Sequence, residues 1–204
     1  MLKQSRGRVR RPLQTSFVGG DAGPWAVDRI DPVTGPSLPY APQVTVIESA
    51  RTRLLRNSVW VLRGVAGHER YATPEEHEAL AHRQDPLGRP AATQAALIPI
   101  RKSEEWWQLS QDDRRAIFEE RSHHIAIGIE YLPMVARRLY HGRDLGEPFD
   151  FLTWFEFAPQ HKSAFERLVE RLRATEEWSY VIREIDIRLS RKGDGRRAQR
   201  RLIL

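Results

Sequence analysis

The chain contains no cysteine. That excludes disulfides, thiolate metal sites, cysteine nucleophiles and thioether attachment of a cofactor through Cys-x-x-Cys-His. No apolar run approaches the ~18 residues of a membrane span. The basic opening residues are not followed by an apolar segment, so no secretory signal is read and the cytoplasm is the expected compartment. A phosphate-cradling loop is missing too: Gly19-Gly20 lacks the glycine and lysine that should follow. No His-Glu-x-x-His occurs, and His123-His124 has no carboxylate partners at ligand spacing, which argues against zinc.

The body of the chain is also short of positive charge, although the 204 residues sum to +6. Residues 1–12 hold Lys3, Arg6, Arg8, Arg10 and Arg11, and residues 191–201 hold Arg191, Lys192, Arg196, Arg197, Arg200 and Arg201. The tails thus carry 11 bases against the single acid Asp194, and the body carries 22 bases against 26 acids. Nucleic-acid binding needs positive charge clustered on a folded face. Here it sits on two ends that read as solvated tails, 1–12 and 191–204. No nucleic-acid or membrane partner is expected.

Apolar patterning gives an α+β chain. Residues 17–46, rich in Gly and Pro, read as loops around one or two short strands. Ser58–Val65 reads as a strand. Thr73-Pro74-Glu75-Glu76 is a capping sequence for a helix to about Arg83. Ala95–Arg101 is a strand that Pro99 places at an edge or a bulge. Ser110 caps a helix to about Ser122. A second helix is expected over His123–His141, interrupted between Gly128 and Val135 where Pro133 kinks it or restarts it. Phe149–Phe157 is a strand, Pro159–Ala174 an amphipathic helix, and Trp178–Leu189 a long alternating strand. Helices on one face of an antiparallel sheet are the expected arrangement.

One stretch carries the chemistry. In SHHIAIGIEYLPMVARRLYHG, His124 is followed by Gly128 at i+4, Tyr131 at i+7 and Arg137 at i+13. An imidazole for one side of a haem iron, with a permanent cation for the other, is a minimal kit for anion chemistry. Alone, that spacing is only suggestive. It gains weight from Lys102-x-x-x-Trp106-Trp107 before it and from EEWSYVIREIDIRL, 176–189, after it.

Taken together, these motifs over about residues 55–190 resemble the chlorite dismutase family, and most of all its short dimeric branch. The resemblance implies a dimeric-barrel fold of two ferredoxin-like halves, a reduced one over 13–100 and a haem-binding one over 101–190. It implies haem b, held without covalent attachment, and a homodimer, for which apolar strand residues such as Trp154 and Phe155, needing cover on both sheet faces, are a second reason. It implies decomposition of chlorite to chloride and dioxygen. His124 matches the proximal iron ligand, with His123 its neighbour and rival. Adjacent helical residues point ~100° apart, so both cannot face one iron. Arg137 matches the distal arginine, where decarboxylating relatives carry an uncharged residue. Glu177 matches the acid behind the histidine, with Glu176 one residue away. Lys102 and Trp106 match pocket residues, the lysine suited to a propionate, and Tyr71 is a further propionate candidate. A peroxidase-like or coproheme-decarboxylating relative, or a haem carrier, is the alternative reading.

Overall fold

A computed structural model describes residues 14–48, 57–66 and 71–191. The basic residues of 1–12 and those after Arg191 lie outside the described residues.

Eight strands form one antiparallel sheet that closes on itself in the order β1-β3-β2-β8-β5-β7-β6-β4. They are β1 (Gln14–Gly20), β2 (Trp25–Thr34), β3 (Gln43–Glu48), β4 (Ser58–Val65), β5 (Gln94–Lys102), β6 (Val135–His141), β7 (Phe151–Phe157) and β8 (Val181–Ser190). The helices are α1 (Pro74–Arg83), α2 (Glu104–Gln108), α3 (Gln111–Arg115), α4 (His124–Glu130) and α5 (Lys162–Arg173), with a π-helical turn at Ala116–Arg121 between α3 and α4. Closure between β6 and β4 rests on the pair Val65↔His141.

Side-chain alternation along the strands divides the molecule. Inward residues fill the barrel: Phe17, Trp25, Val44, Trp60, Leu97, Leu152, Trp154, Ile185 and Ile187 form one buried cluster. A side chain at Gly19 would enter the Trp60 ring, so that strand position admits only glycine. Outward residues Ala96, Ile98, Phe155 and Phe157 pack under Phe165, Leu168, Val169 and Leu172 of α5. On β8 the outward residues are charged yet buried. Arg173 of α5 donates to Glu184 at 2.8 Å and to Asp186 at 3.0 Å, and Arg188 donates to Glu166 at 2.8 Å.

Local signals held where the interactions are local. Thr73 caps α1 in a reciprocal box with Glu76, and Ser110 accepts from the Asp113 N–H to start α3. Long-range pairing overrode three expectations. Residues 17–46 hold all or part of three strands, not one or two short ones among loops. β1 is paired along its length by β3 and β4, and Pro32 sits in β2 beside a register shift against β8. β5 is an interior strand, not an edge. It is flanked by β7 and β8, and the ladder to β8 passes over Ile98 and Pro99, where proline supplies no donor.

The expected helix over 123–141 is the third. It ends at Glu130, turns through Tyr131–Met134, and continues as β6 in unbroken register with β7 from Val135↔Phe157 to His141↔Phe151. Smaller corrections follow. Trp178 lies in a 3₁₀ turn before β8. The boundary expected between residues 100 and 101 falls inside β5. Trp154 and Phe155, on opposite sheet faces, are both covered within the chain.

Candidate active site

The outer face of β5, β7 and β6 and the helices α2 and α4 enclose a cavity of about 820 Å³, counted with its open mouth. Its walls are mostly apolar: Ile98, Ile100, Phe151, Phe155, Val169 and Leu172. An apolar lining with a few convergent polar groups is the character of a site that buries a small molecule or cofactor. His124, Arg137, Glu177, Lys102, Trp106 and Tyr71 all line it.

His124 is the first residue of α4 and is partly buried, whereas His123 before it is exposed. The imidazole is sandwiched. Phe118 stacks on it with centroids 4.4 Å apart, and Trp178 lies nearly parallel at 6.4 Å. Its Nδ1 is 2.7 Å from Glu177 Oε2. Glu177 is buried, while Glu176 points outward to Arg121. Burial pushes the Glu177 carboxyl up, but the charges and hydrogen bonds of His124 and Lys102 outweigh it and lower it to about 2. An ionised carboxylate only accepts, so Nδ1 donates the proton of this bond and Nε2 is the ring nitrogen it leaves uncommitted.

Lys102 departs from the propionate role expected of it. Its ammonium is buried and donates to Glu177 Oε1 at 2.8 Å and to the Glu177 carbonyl at 3.0 Å. It also lies 4.5 Å from the centre of the Trp106 ring. Burial drives Lys102 toward its neutral form, and the carboxylates of Glu177, Asp150 and Glu184 oppose this. The lysine therefore holds the acid behind the histidine. Trp106 is buried, and its indole N–H has no hydrogen-bond partner among the described residues. Tyr71 stands edge-on to Trp106 at 6.3 Å, and its hydroxyl accepts from Arg114 at 3.3 Å. Trp107, by contrast, stacks on Phe151 and donates to Asp150 at 3.3 Å.

Arg137 reaches the cavity from β6, because the chain reverses after α4. A straight helix would hold residues 13 apart ~20 Å from each other along its axis. The turn at Tyr131–Met134 brings the strand back across α4 instead. The guanidinium then lies against Gly128, where an added Cβ would come within 2.8 Å of Arg137 Cζ. The glycine four residues after the histidine thus makes room for the arginine.

Several contributors escaped sequence reading. Ser122 Oγ accepts from the Glu177 N–H at 3.0 Å, and Asp150 accepts from the Lys102 N–H at 2.7 Å. Glu184 accepts from the Trp178 indole at 2.7 Å. Trp178 and Glu184 lay within the quoted 176–189 motif. The others are ordinary residue types whose partners are 48 or 55 positions away for Asp150 and Ser122.

Similarity to known proteins agrees with this geometry. The chlorite dismutase family profile matches residues 41–193. The chain belongs to the chlorite dismutase family. A crystal structure of dimeric chlorite dismutase from Nitrobacter winogradskyi is 57% identical, with a TM-score of 0.82, over 87% of this chain and 99% of that one. The chlorite dismutase of Candidatus Nitrospira defluvii, crystallised with imidazole, shares the fold at 21% identity and a TM-score of 0.64, covering 87% of this chain and 91% of that one. The chlorite dismutase of Ideonella dechloratans is 33% identical over 89 residues, which are 44% of this chain and 29% of that protein. The chain therefore spans under a third of that curated relative. Among the described residues, no helix is long and apolar enough to cross a membrane.

Proposed function

We propose that this chain is a haem b-dependent chlorite dismutase that converts chlorite to chloride and dioxygen. The observation that carries the reading is His124, bonded through Nδ1 to a buried ionised carboxylate, in the same cavity as Arg137. The family resemblance gives the pair its meaning.

The residues present fit a haem. Nε2 of His124 is the nitrogen with a lone pair to give to iron. Glu177 fixes that tautomer and makes the imidazole electron-rich, and Lys102 anchors Glu177 in turn. The unsatisfied Trp106 indole is a donor suited to a propionate oxygen. Apolar walls suit the macrocycle and keep water from the reacting anion. When bound, the haem iron supplies the redox centre at which chlorite is cleaved and its oxygens are joined. Arg137 is permanently charged and cannot relay protons, so its part is electrostatic and positional. It draws chlorite in and keeps the chlorine-containing fragment from escaping before the O–O bond forms.

The element order of the second half, strand, helices, two strands, helix, strand, supports a ferredoxin-like unit, with sheet order β8-β5-β7-β6. We read β1 to β4 with α1 as the reduced partner half. We also infer a homodimer, as in the Nitrobacter relative, and a cytoplasmic location on the sequence reading.

The test is titration of the purified chain with ferric haem. One haem per chain should bind and give an imidazole-ligated spectrum. His124→Ala should lose or loosen it, and His123→Ala should keep it. The reverse pattern would move the ligand to His123.

A further inference from the structure

We propose that Glu119 is a positioning residue for His124: its carboxylate caps α4 and so fixes where the imidazole stands. The inference rests on reading His124 as the ligand of the site.

α4 begins abruptly, at the residue that carries the chemistry. His123 before it adopts a left-handed backbone (φ 52°), and its side chain makes no capping bond. The start of any α-helix leaves four N–H groups without intrahelical partners. Glu119 takes two of them. Its Oε2 accepts from Ile125 N–H at 2.5 Å and its Oε1 from Ala126 N–H at 3.2 Å. The Glu119 carbonyl also accepts from His123 N–H at 2.9 Å, just before the first helical bond, Ile127 N–H to the His123 carbonyl at 2.8 Å. The side chain is buried, 8% exposed, so water does not replace these bonds freely.

The neighbours of Glu119 converge on the same ring. Phe118 covers one face of the imidazole, and Ser122 holds the backbone of Glu177, the acid that His124 bonds. The segment 118–122 thus sets the ring's face, the start of its helix and the place of its acceptor. An ordinary helix cap would support stability and nothing more. Here the capped residues directly follow the ligand, so a loosened first turn must move the ring relative to Glu177.

The test separates these roles. Proton NMR of the full chain without cofactor follows the His124 Nδ1–H, assigned by its loss in His124→Ala. In Glu119→Ala that proton should exchange with solvent about five- to tenfold faster, the local opening expected when a cap is lost. Glu119→Gln keeps one acceptor oxygen and should fall between. Val44→Ala trims a fully buried barrel side chain instead. It should lower global stability and leave this exchange alone.

In haem-loaded protein the iron–histidine stretching band should shift in Glu119→Ala and not in Val44→Ala. Unchanged exchange in both Glu119 variants, or an equal change in Val44→Ala, overturns the positioning role. If Glu119→Ala does not fold, Glu119→Gln against Val44→Ala decides it. A wild-type chain that takes up no haem would sink the proposed function, while the NMR comparison still judges the cap.

Discussion

Glu177 is the residue on which the proximal side turns, because the Lys102 ammonium and the His124 Nδ1–H meet on one buried carboxylate. Its folded pKa, about 2, lies below the ordinary 4.5. A depressed acid stabilises the fold above its unfolded pKa, and that contribution is lost as pH falls through the folded value. The window is therefore roughly pH 4.5 down to 2, and the contribution is about 3 kcal/mol. Denaturant unfolding across this range should show stability falling steeply with acid. Glu177→Gln should be less stable at neutral pH, because it leaves Lys102 buried beside a neutral group. Its acid limb should also be flatter. Parallel curves for the two proteins would contradict the pairing. At this scale spacing and resemblance singled out His124, Glu177 and Arg137, which the fold brings to one cavity. The true partner of Lys102 was not legible, because only the fold shows that its ammonium turns toward Glu177.

At the scale of elements, the decisive feature is the reversal between α4 and β6. Pro133 marked that break in the sequence, since proline cannot continue a helical ladder. That the following residues form a strand was hidden, because β6 exists through its pairing with β7, an interaction no local pattern encodes. The same reasoning explains β2, whose Pro32 hid a strand held by β8. The caps of α1 and α3 were readable because every atom involved lies within four residues. The reversal makes one prediction. Gly128→Ala places a methyl where the Arg137 guanidinium lies, so the arginine must move. Haem affinity should stay near that of the wild type while turnover falls by about tenfold to a hundredfold, the scale of a misplaced catalytic group. Steady-state kinetics with chlorite, set beside a haem titration, check this. Unaltered turnover would mean that Arg137 does not need that position.

The whole molecule is a sheet closed around one core, with a second core under α5 and the cavity beside it. Both faces of β7 are covered within one chain, so Trp154 and Phe155 give no reason to dimerise. The expectation of a dimer rests on the Nitrobacter relative. Light scattering should give twice the chain mass, and a pentamer would contradict that expectation. Chlorite decomposition, the central claim, is tested most directly by dissolved oxygen. Chlorite added to the haem-loaded chain should release one dioxygen and one chloride per chlorite consumed. Arg137→Ala, with haem still bound, should release less oxygen and bleach sooner as the chlorine-containing fragment escapes. No oxygen from the haem-loaded wild-type chain would contradict the account.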